Sequence, residues 1–154
     1  MTITIPHPQY LIYQLSDNLR ADTPSPGVRT PPATESDREE LLLSKLGPRG
    51  WGRLYHFRYF YSAGWGDGSG KPMSPRALES FYRFLESAQF PKDSTPSVFL
   101  TDEGSVELCW EDQKGKSVEV EFRPTDIEFY IESRGTEGSV PSADAKTLAK
   151  KLAA

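Results

Sequence analysis

Three successive runs in the last third of the chain alternate apolar and polar residues with period two. Val106, Leu108 and Trp110 alternate with Glu107, Cys109 and Glu111. Val118, Val120 and Phe122 alternate with Glu119 and Glu121. Ile127, Phe129 and Ile131 alternate with Glu128, Tyr130 and Glu132. Successive side chains of a strand point to opposite faces, so each run predicts a strand with one buried and one solvated face. Asp102-Glu103-Gly104, residues 112–115 and Pro124-Thr125-Asp126 supply the turns between them. With a short apolar run over 97–100 ahead of them, the runs predict an α+β fold. Its centre is an antiparallel meander of about four strands packed against helices.

The period changes to 3.6 elsewhere. Ala77, Leu78, Phe81, Phe84, Leu85 and Ala88 share one side of a helix over 75–89, with Ser74 as its cap and Pro75 at its first position. Residues 36–46 read as a helix with Ser36 and Glu39 at capping-box spacing, an apolar stripe of Leu42, Leu43 and Leu46, and a stop at Gly47-Pro48. A terminal helix over 142–152 follows from Ser142 as cap and from Ala145, Leu148, Ala149 and Leu152. Residues 51–63 fit strand or helix. Their aromatics alternate, and Leu54, Phe57 and Phe60 also fall at helical spacing. The predicted core is Val106, Leu108, Trp110, Val118, Val120, Phe122, Ile127, Phe129 and Ile131 from the sheet, with Leu78, Phe81 and Leu85 from the helix over 75–89.

The first third differs. Pro24, Pro26, Pro31 and Pro32 lie among Ser, Thr and Gly over 22–34, a composition that resists both helix and ladder. Residues 1–20 carry Ile3, Ile5, Tyr10, Ile12, Tyr13 and Leu15. The organisation predicted is an N-terminal arm with a proline-rich linker over 1–34 and a compact α+β domain over 35–154. The apolar arm is expected to dock on the body or on a second copy, which would make a homodimer.

Charge sharpens the picture. The 154-residue chain has a formal net charge of -4, which argues against direct nucleic-acid binding over the whole surface. Segment 101–132 holds ten acids and three bases, a net of -7, and leaves +3 for the rest. The strand alternation puts Glu107, Glu111, Glu119, Glu121, Glu128 and Glu132 on one outward face. Such a face either keeps a sheet soluble and unpaired or docks a basic partner by complementary potential. A hard cation is a third candidate, but flat sheet faces rarely converge ligands and neither His7 nor His56 is near in sequence. No apolar run is long enough to span a membrane, the N-terminus has no secretory pattern, and the single cysteine fits a reducing compartment. These features predict a cytoplasmic protein.

Catalytic motifs are not evident. Gly68-Ser69-Gly70-Lys71 suggests a phosphate loop, but the first glycine position is Trp65 and the residue after Lys71 is Pro72, so the required hydroxyl is missing. Cys109 shares its strand face with glutamates, which disfavour a thiolate. The remaining site is the loop itself, where Trp65, Asp67 and Lys71 could converge near a helix N-terminus. The reading beside it is that Trp65 plugs the core, Asp67 makes a turn and Lys71 is solvated.

Residues 64–132 carry Gly64-Trp65-Gly66-Asp67-Gly68, then Pro72-Met73-Ser74-Pro75 with Ala77-Leu78, then Pro96-Ser97-Val98, Thr101-Asp102-Glu103-Gly104, Val106-Glu107-Leu108 and Trp110. This succession resembles a widespread, for the most part uncharacterised group of short bacterial proteins. Their pattern is G-W-D-G-x-G, a P-[IV]-S-x-x-A-L helix, and P-x-V-x-x-T-x-D-G-x-V-x-L-x-W. Gly66 departs from it by lengthening the loop. The resemblance implies a compact α+β unit with an apolar helix before the loop, which favours helix for 51–62, and it implies no activity. The function expected is a non-enzymatic protein-binding module, without cofactor or metal. It would inhibit or neutralise a basic protein, as antitoxins and immunity proteins of similar size and acidity do. Its partner-binding residues would be Glu107, Glu111, Glu119, Glu121, Glu128, Glu132, Trp65 and Asp67. The alternatives are a DNA mimic that inhibits a nuclease or defence complex, and a small enzyme using the Trp65/Asp67/Lys71 loop.

Overall fold

The structure is a computed structural model that describes residues 34–153. The arm, most of the linker and the arm-mediated homodimer expected above lie outside the described residues. The chain divides into two compact units between Leu41 and Leu42. The second unit carries the sheet, and the first contributes the opening turns of helix α1.

Helix α1 (Glu35–Phe60) opens on a reciprocal cap. The Asp37 N–H donates to Thr34 Oγ1 at 3.1 Å and the Thr34 N–H donates to Asp37 Oδ2 at 3.0 Å. The box therefore uses Thr34 and Asp37, two residues earlier than the expected Ser36 and Glu39, with the shorter aspartate doing the work of glutamate. Gly47 breaks the helix with φ 76° and ψ 178°, and the second half restarts directly at Pro48. Proline is favoured in a first helical turn because its missing N–H would have no partner there. The stop signal thus produces a kink between two joined helices. The ambiguous stretch after residue 50 is helical. Trp51, Tyr55 and Tyr59 contact one another at i, i+4 spacing, while Leu54 and Phe57 are buried.

Helix α2 (Pro75–Ser87) forms with the predicted cap and stripe and ends two residues short of the expected 75–89, at an extended Ala88. Ser74 Oγ accepts the Ala77 N–H at 3.2 Å, and Ala77, Leu78, Phe81, Phe84 and Leu85 are all buried. The sheet then runs β1 (Ser97–Leu100), β2 (Val106–Glu111), β3 (Ser117–Phe122), β4 (Asp126–Ile131) and β5 (Thr136–Pro141), antiparallel throughout and in sequence order. Helix α3 (Ala145–Leu152) closes the chain beside α2, with Ala145, Leu148 and Ala149 buried.

The fold is α+β, with five strands where the pattern gave four. β5 was missed because TEGSVP has no apolar alternation and contains glycine and proline. It forms as an exposed edge, and its Gly138 lies opposite Phe129. A Cβ at Gly138 would sit 2.9 Å from the Phe129 ring, so the ring lies over the glycine. That explains why Phe129, expected in the core, is only half-buried while every other predicted core residue is buried. The other edge, β1, is partly closed by α1, whose Arg53 Nε donates to the Val98 carbonyl at 3.0 Å. Ser142 does not cap α3. It lies in a short 3-10 turn, Ser142–Asp144, and its hydroxyl makes no hydrogen bond.

The core centres on aromatic contacts between α2 and the sheet. Phe122 meets Phe81 and Phe84 edge-on at centroid distances of 5.4 and 5.1 Å, and Phe84 reaches Trp110 at 6.2 Å. Truncating such side chains removes buried area and leaves a cavity. Phe81→Ala and Trp110→Ala should each destabilise by about 3–5 kcal/mol, and the half-exposed Phe129→Ala by clearly less. Chemical denaturation checks this order, and losses under about 1 kcal/mol at Phe81 and Trp110 would contradict the register.

Candidate functional site: the outward face of the sheet

The register that buries the apolar set fixes the opposite face residue by residue. One row across the strands reads Phe99, Glu107, Glu121, Glu128, Ser139, and the next reads Ser97, Cys109, Glu119, Tyr130, Glu137. Three glutamates therefore stand directly opposite one another on three adjacent strands. At the usual strand spacing this triplet spans about 10 Å.

Five of the six predicted glutamates share this face: Glu107, Glu111, Glu119, Glu121 and Glu128. Glu132 does not. The chain leaves β4 at Ile131, so Glu132 opens a 3-10 turn at the sheet end. There its carboxylate accepts the Ser117 N–H at 2.8 Å and lies 3.8 Å from Lys116 Nζ. Among the five, Glu128 has a cationic partner, Arg123 Nη1 at 3.1 Å, while Arg123 Nη2 holds Asp126 at 2.7 Å. Among the described residues Glu107, Glu111, Glu119 and Glu121 have no ion-pair partner. Phe99 and Tyr130, each 39% exposed, put large rings on the same face. Arg53 lies 5.0 Å from the Phe99 ring centre. Tyr130 follows from the alternation, but the four-residue β1 is too short to show which way Phe99 points.

The crowding perturbs two groups. Partial burial, with Glu119 and Glu121 nearby, pushes the Glu107 carboxyl above the usual range, against a weaker opposing hydrogen bond from Cys109. Burial, then Glu107 and Glu119, push the Cys109 thiol up to about 12. Its Sγ donates to Glu107 Oε1 at 3.7 Å.

The Trp65–Lys71 loop is a separate construction. Trp65 and Gly70 form a two-residue bridge, with Gly64 N–H on the Gly70 carbonyl at 2.7 Å and Gly70 N–H on the Trp65 carbonyl at 3.1 Å. A side chain at Gly70 would collide with the Trp65 ring. The half-buried Trp65 donates from Nε1 to the Lys71 carbonyl at 2.6 Å and packs on Tyr61. Asp67 accepts from the Ser69 hydroxyl at 2.7 Å and the Ser69 N–H at 3.3 Å, and these bonds hold its carboxyl below the usual range. Lys71 pairs with Glu103 at 2.7 Å, and its N–H donates to the Asp102 carbonyl at 2.8 Å, which ties the loop to the β1–β2 turn. Asp67 and Lys71 thus each have their own partner instead of converging. No hydrogen bond, ion pair or ring contact among the described residues joins Trp65 or Asp67 to the glutamate rows.

Among the described residues no three His, Cys, Asp or Glu side chains gather as a metal cluster, and no helix is long and apolar enough to cross a membrane. Comparison with protein-family models, with curated proteins and with solved structures finds no match.

Two outcomes follow. A carboxyl with a raised folded-state pKa favours folding while protonated, so ionisation of Glu107 opposes folding as pH rises. Glu107→Gln should therefore stabilise the protein at pH 7 by about 0.2–1 kcal/mol, the scale of one like-charge cross-strand pair, and lose that advantage near pH 3. Urea denaturation at the two pH values is the check. For Cys109, a thiol near 12 is almost fully protonated at pH 8. Alkylation by iodoacetamide should run roughly two to three orders of magnitude slower than for a free cysteine, and a rate close to that of the free amino acid would contradict the assignment.

Proposed function

We propose that this protein is a non-enzymatic binding module whose outward sheet face docks on, and neutralises, a basic protein in the cytoplasm, in the manner of an antitoxin or immunity-type inhibitor. The observation that carries this reading is the in-register row Glu107, Glu121 and Glu128. Like charges directly opposite on neighbouring strands each cost stability. A face serving solubility alone would intersperse both signs and avoid that cost. Among the described residues cations stand at the margins, Arg53 beside Phe99 and Arg123 beside Glu128. A cationic partner would relieve the repulsion on docking, and the exposed Phe99 and Tyr130 would supply the apolar contact that interface centres use. Trp65 and Asp67, expected above as partner contacts, are occupied in holding their loop, so the reading rests on the sheet face. Membership of the short bacterial group with the G-W-D-G-x-G loop remains part of the proposal. Gly70 under Trp65 and the Ser74 cap are consistent with that pattern and give local reasons for its glycine and serine.

The test is affinity capture from the source organism followed by binding measurement on the recovered partner. A basic protein should bind the parent chain. Glu119→Lys with Glu128→Lys should weaken it by about tenfold or more through lost complementarity, and added salt should slow association. Binding indifferent to both the charge reversals and salt would overturn the acidic face as the docking surface. The competing reading is a DNA mimic, in which the glutamate rows stand for phosphates. It is favoured if double-stranded DNA competes for the same partner, and the neutraliser reading is favoured if it does not.

A further inference from the structure

The end of the sheet formed by the β2–β3 and β4–β5 turns holds a hollow of about 360 Å³, remote in register from the Glu107 row. Its residues come from the segment after α2, from the two turns and from the end of α3, all within the second unit. Phe90 and Trp110 supply an aromatic wall, meeting edge-on at 4.9 Å. Gln113 and Lys114 of the β2–β3 turn and Arg134 of the β4–β5 turn also line it.

Several cations of the described residues have no carboxylate within ion-pair distance, Arg76, Arg83 and Lys92 among them, and two more line this hollow. Lys71, Lys116, Arg123 and Lys146 each have a carboxylate within ion-pair distance. Among the described residues Lys114 and Arg134 have none. The one acid in the lining, Asp112, is already engaged: its Oδ1 accepts the Lys114 N–H at 2.8 Å and the Lys116 N–H at 3.0 Å. Two cations thus line a cavity that also presents Phe90 and Trp110, while its Asp112 carboxylate is held by two backbone N–H groups and the Ser133 side chain and attracts Lys114. Small-ligand sites are concave and a hollow of this volume lies in their range, with a lining here that is more polar than apolar.

We infer that this hollow is a binding site for a small planar ring bearing an anionic group. The ring packs against Phe90 and Trp110, and the anion is held by Lys114 and Arg134. A phosphate or a carboxylate satisfies the same pair of cations. The inference is independent of the acidic face.

The test is a backbone-amide NMR titration of the full chain with adenosine monophosphate, indole-3-acetate and, as neutral control, adenosine. At least one anion should give saturable shifts centred on Phe90, Trp110, Gln113 and Arg134, and the one that saturates at lower concentration identifies the phosphate or the carboxylate as the preferred group. Adenosine should bind about tenfold or more weakly, as should either anion to Lys114→Ala/Arg134→Ala, in keeping with the loss of charged hydrogen bonds. Both substituted residues are exposed, so the double variant should keep the parent melting temperature. The inference is overturned if neither anion saturates below about 5 mM, a threshold weaker than millimolar affinity. It is also overturned if the shifts lie elsewhere, or if the neutral control or the double variant binds equally well.

Discussion

Phe122 lies beneath two rings of α2, Phe81 and Phe84, and Phe84 in turn reaches Trp110. That cluster decides more than stability. A strand can be shifted by one residue only by exchanging its two faces. Phe122 facing inward forces Val118 and Val120 inward, and their partners on β2 and β4 with them. The same step places Glu121 outward, opposite Glu107 on one side and Glu128 on the other. The acidic row is therefore not a local arrangement that could relax by itself. It is the reverse side of the aromatic core, and separating the glutamates by a register slip would expose the apolar set.

This coupling also explains which parts of the molecule were legible in the sequence. β2, β3 and β4 bury one face each, so their alternation is strong and their residues fall as the pattern predicts. β5 buries neither face. Its residues are selected by an exposed edge and by the Phe129 ring over Gly138, and these leave no periodic trace. Phe129 looked like core by parity alone, and parity cannot report that its neighbour lacks a side chain. Glu132 fails for a related reason: alternation extended one residue beyond the strand, where a 3-10 turn re-aims it toward the Ser117 N–H. Thr34 and Asp37 took the capping role because an aspartate reaches back at this spacing nearly as well as a glutamate does. The hollow beside Trp110 is assembled from four separated segments, and no short sequence window contains it.

The loop from Gly64 to Lys71 shows how a motif that looks chemical can be spent on structure. Glycines, an aromatic, a carboxylate and an amine lie within eight residues, the usual ingredients of a small active site. Each is consumed within the loop or by its anchor: Gly70 by the approach of Trp65, the indole N–H by the Lys71 carbonyl, Asp67 by Ser69, Lys71 by Glu103. The loop then grips the β1–β2 turn, where the Pro72 carbonyl lies so close to Gly104 that no side chain would fit there. A carboxylate whose pKa is lowered by a turn-forming serine is well suited to holding a turn and poorly suited to taking a proton at neutral pH.

Electrostatically the sheet face stands apart from this self-sufficiency. Where the loop pairs its charges internally, the face leaves Glu107, Glu111, Glu119 and Glu121 without ion-pair partners among the described residues, and one consequence reaches the thiol between them. Cys109 is held protonated by burial and by Glu107 and Glu119, so this thiol is chemically quiet where a partner would approach. Repulsion there is carried by a register that the core will not surrender. Protonation or added cations would relieve it. Protonation of carboxyls in this range requires acid conditions, whereas a basic surface supplies cations at neutral pH. A partner of opposite sign would therefore gain from covering a face that is costly in the free protein, and a partner of like sign would not.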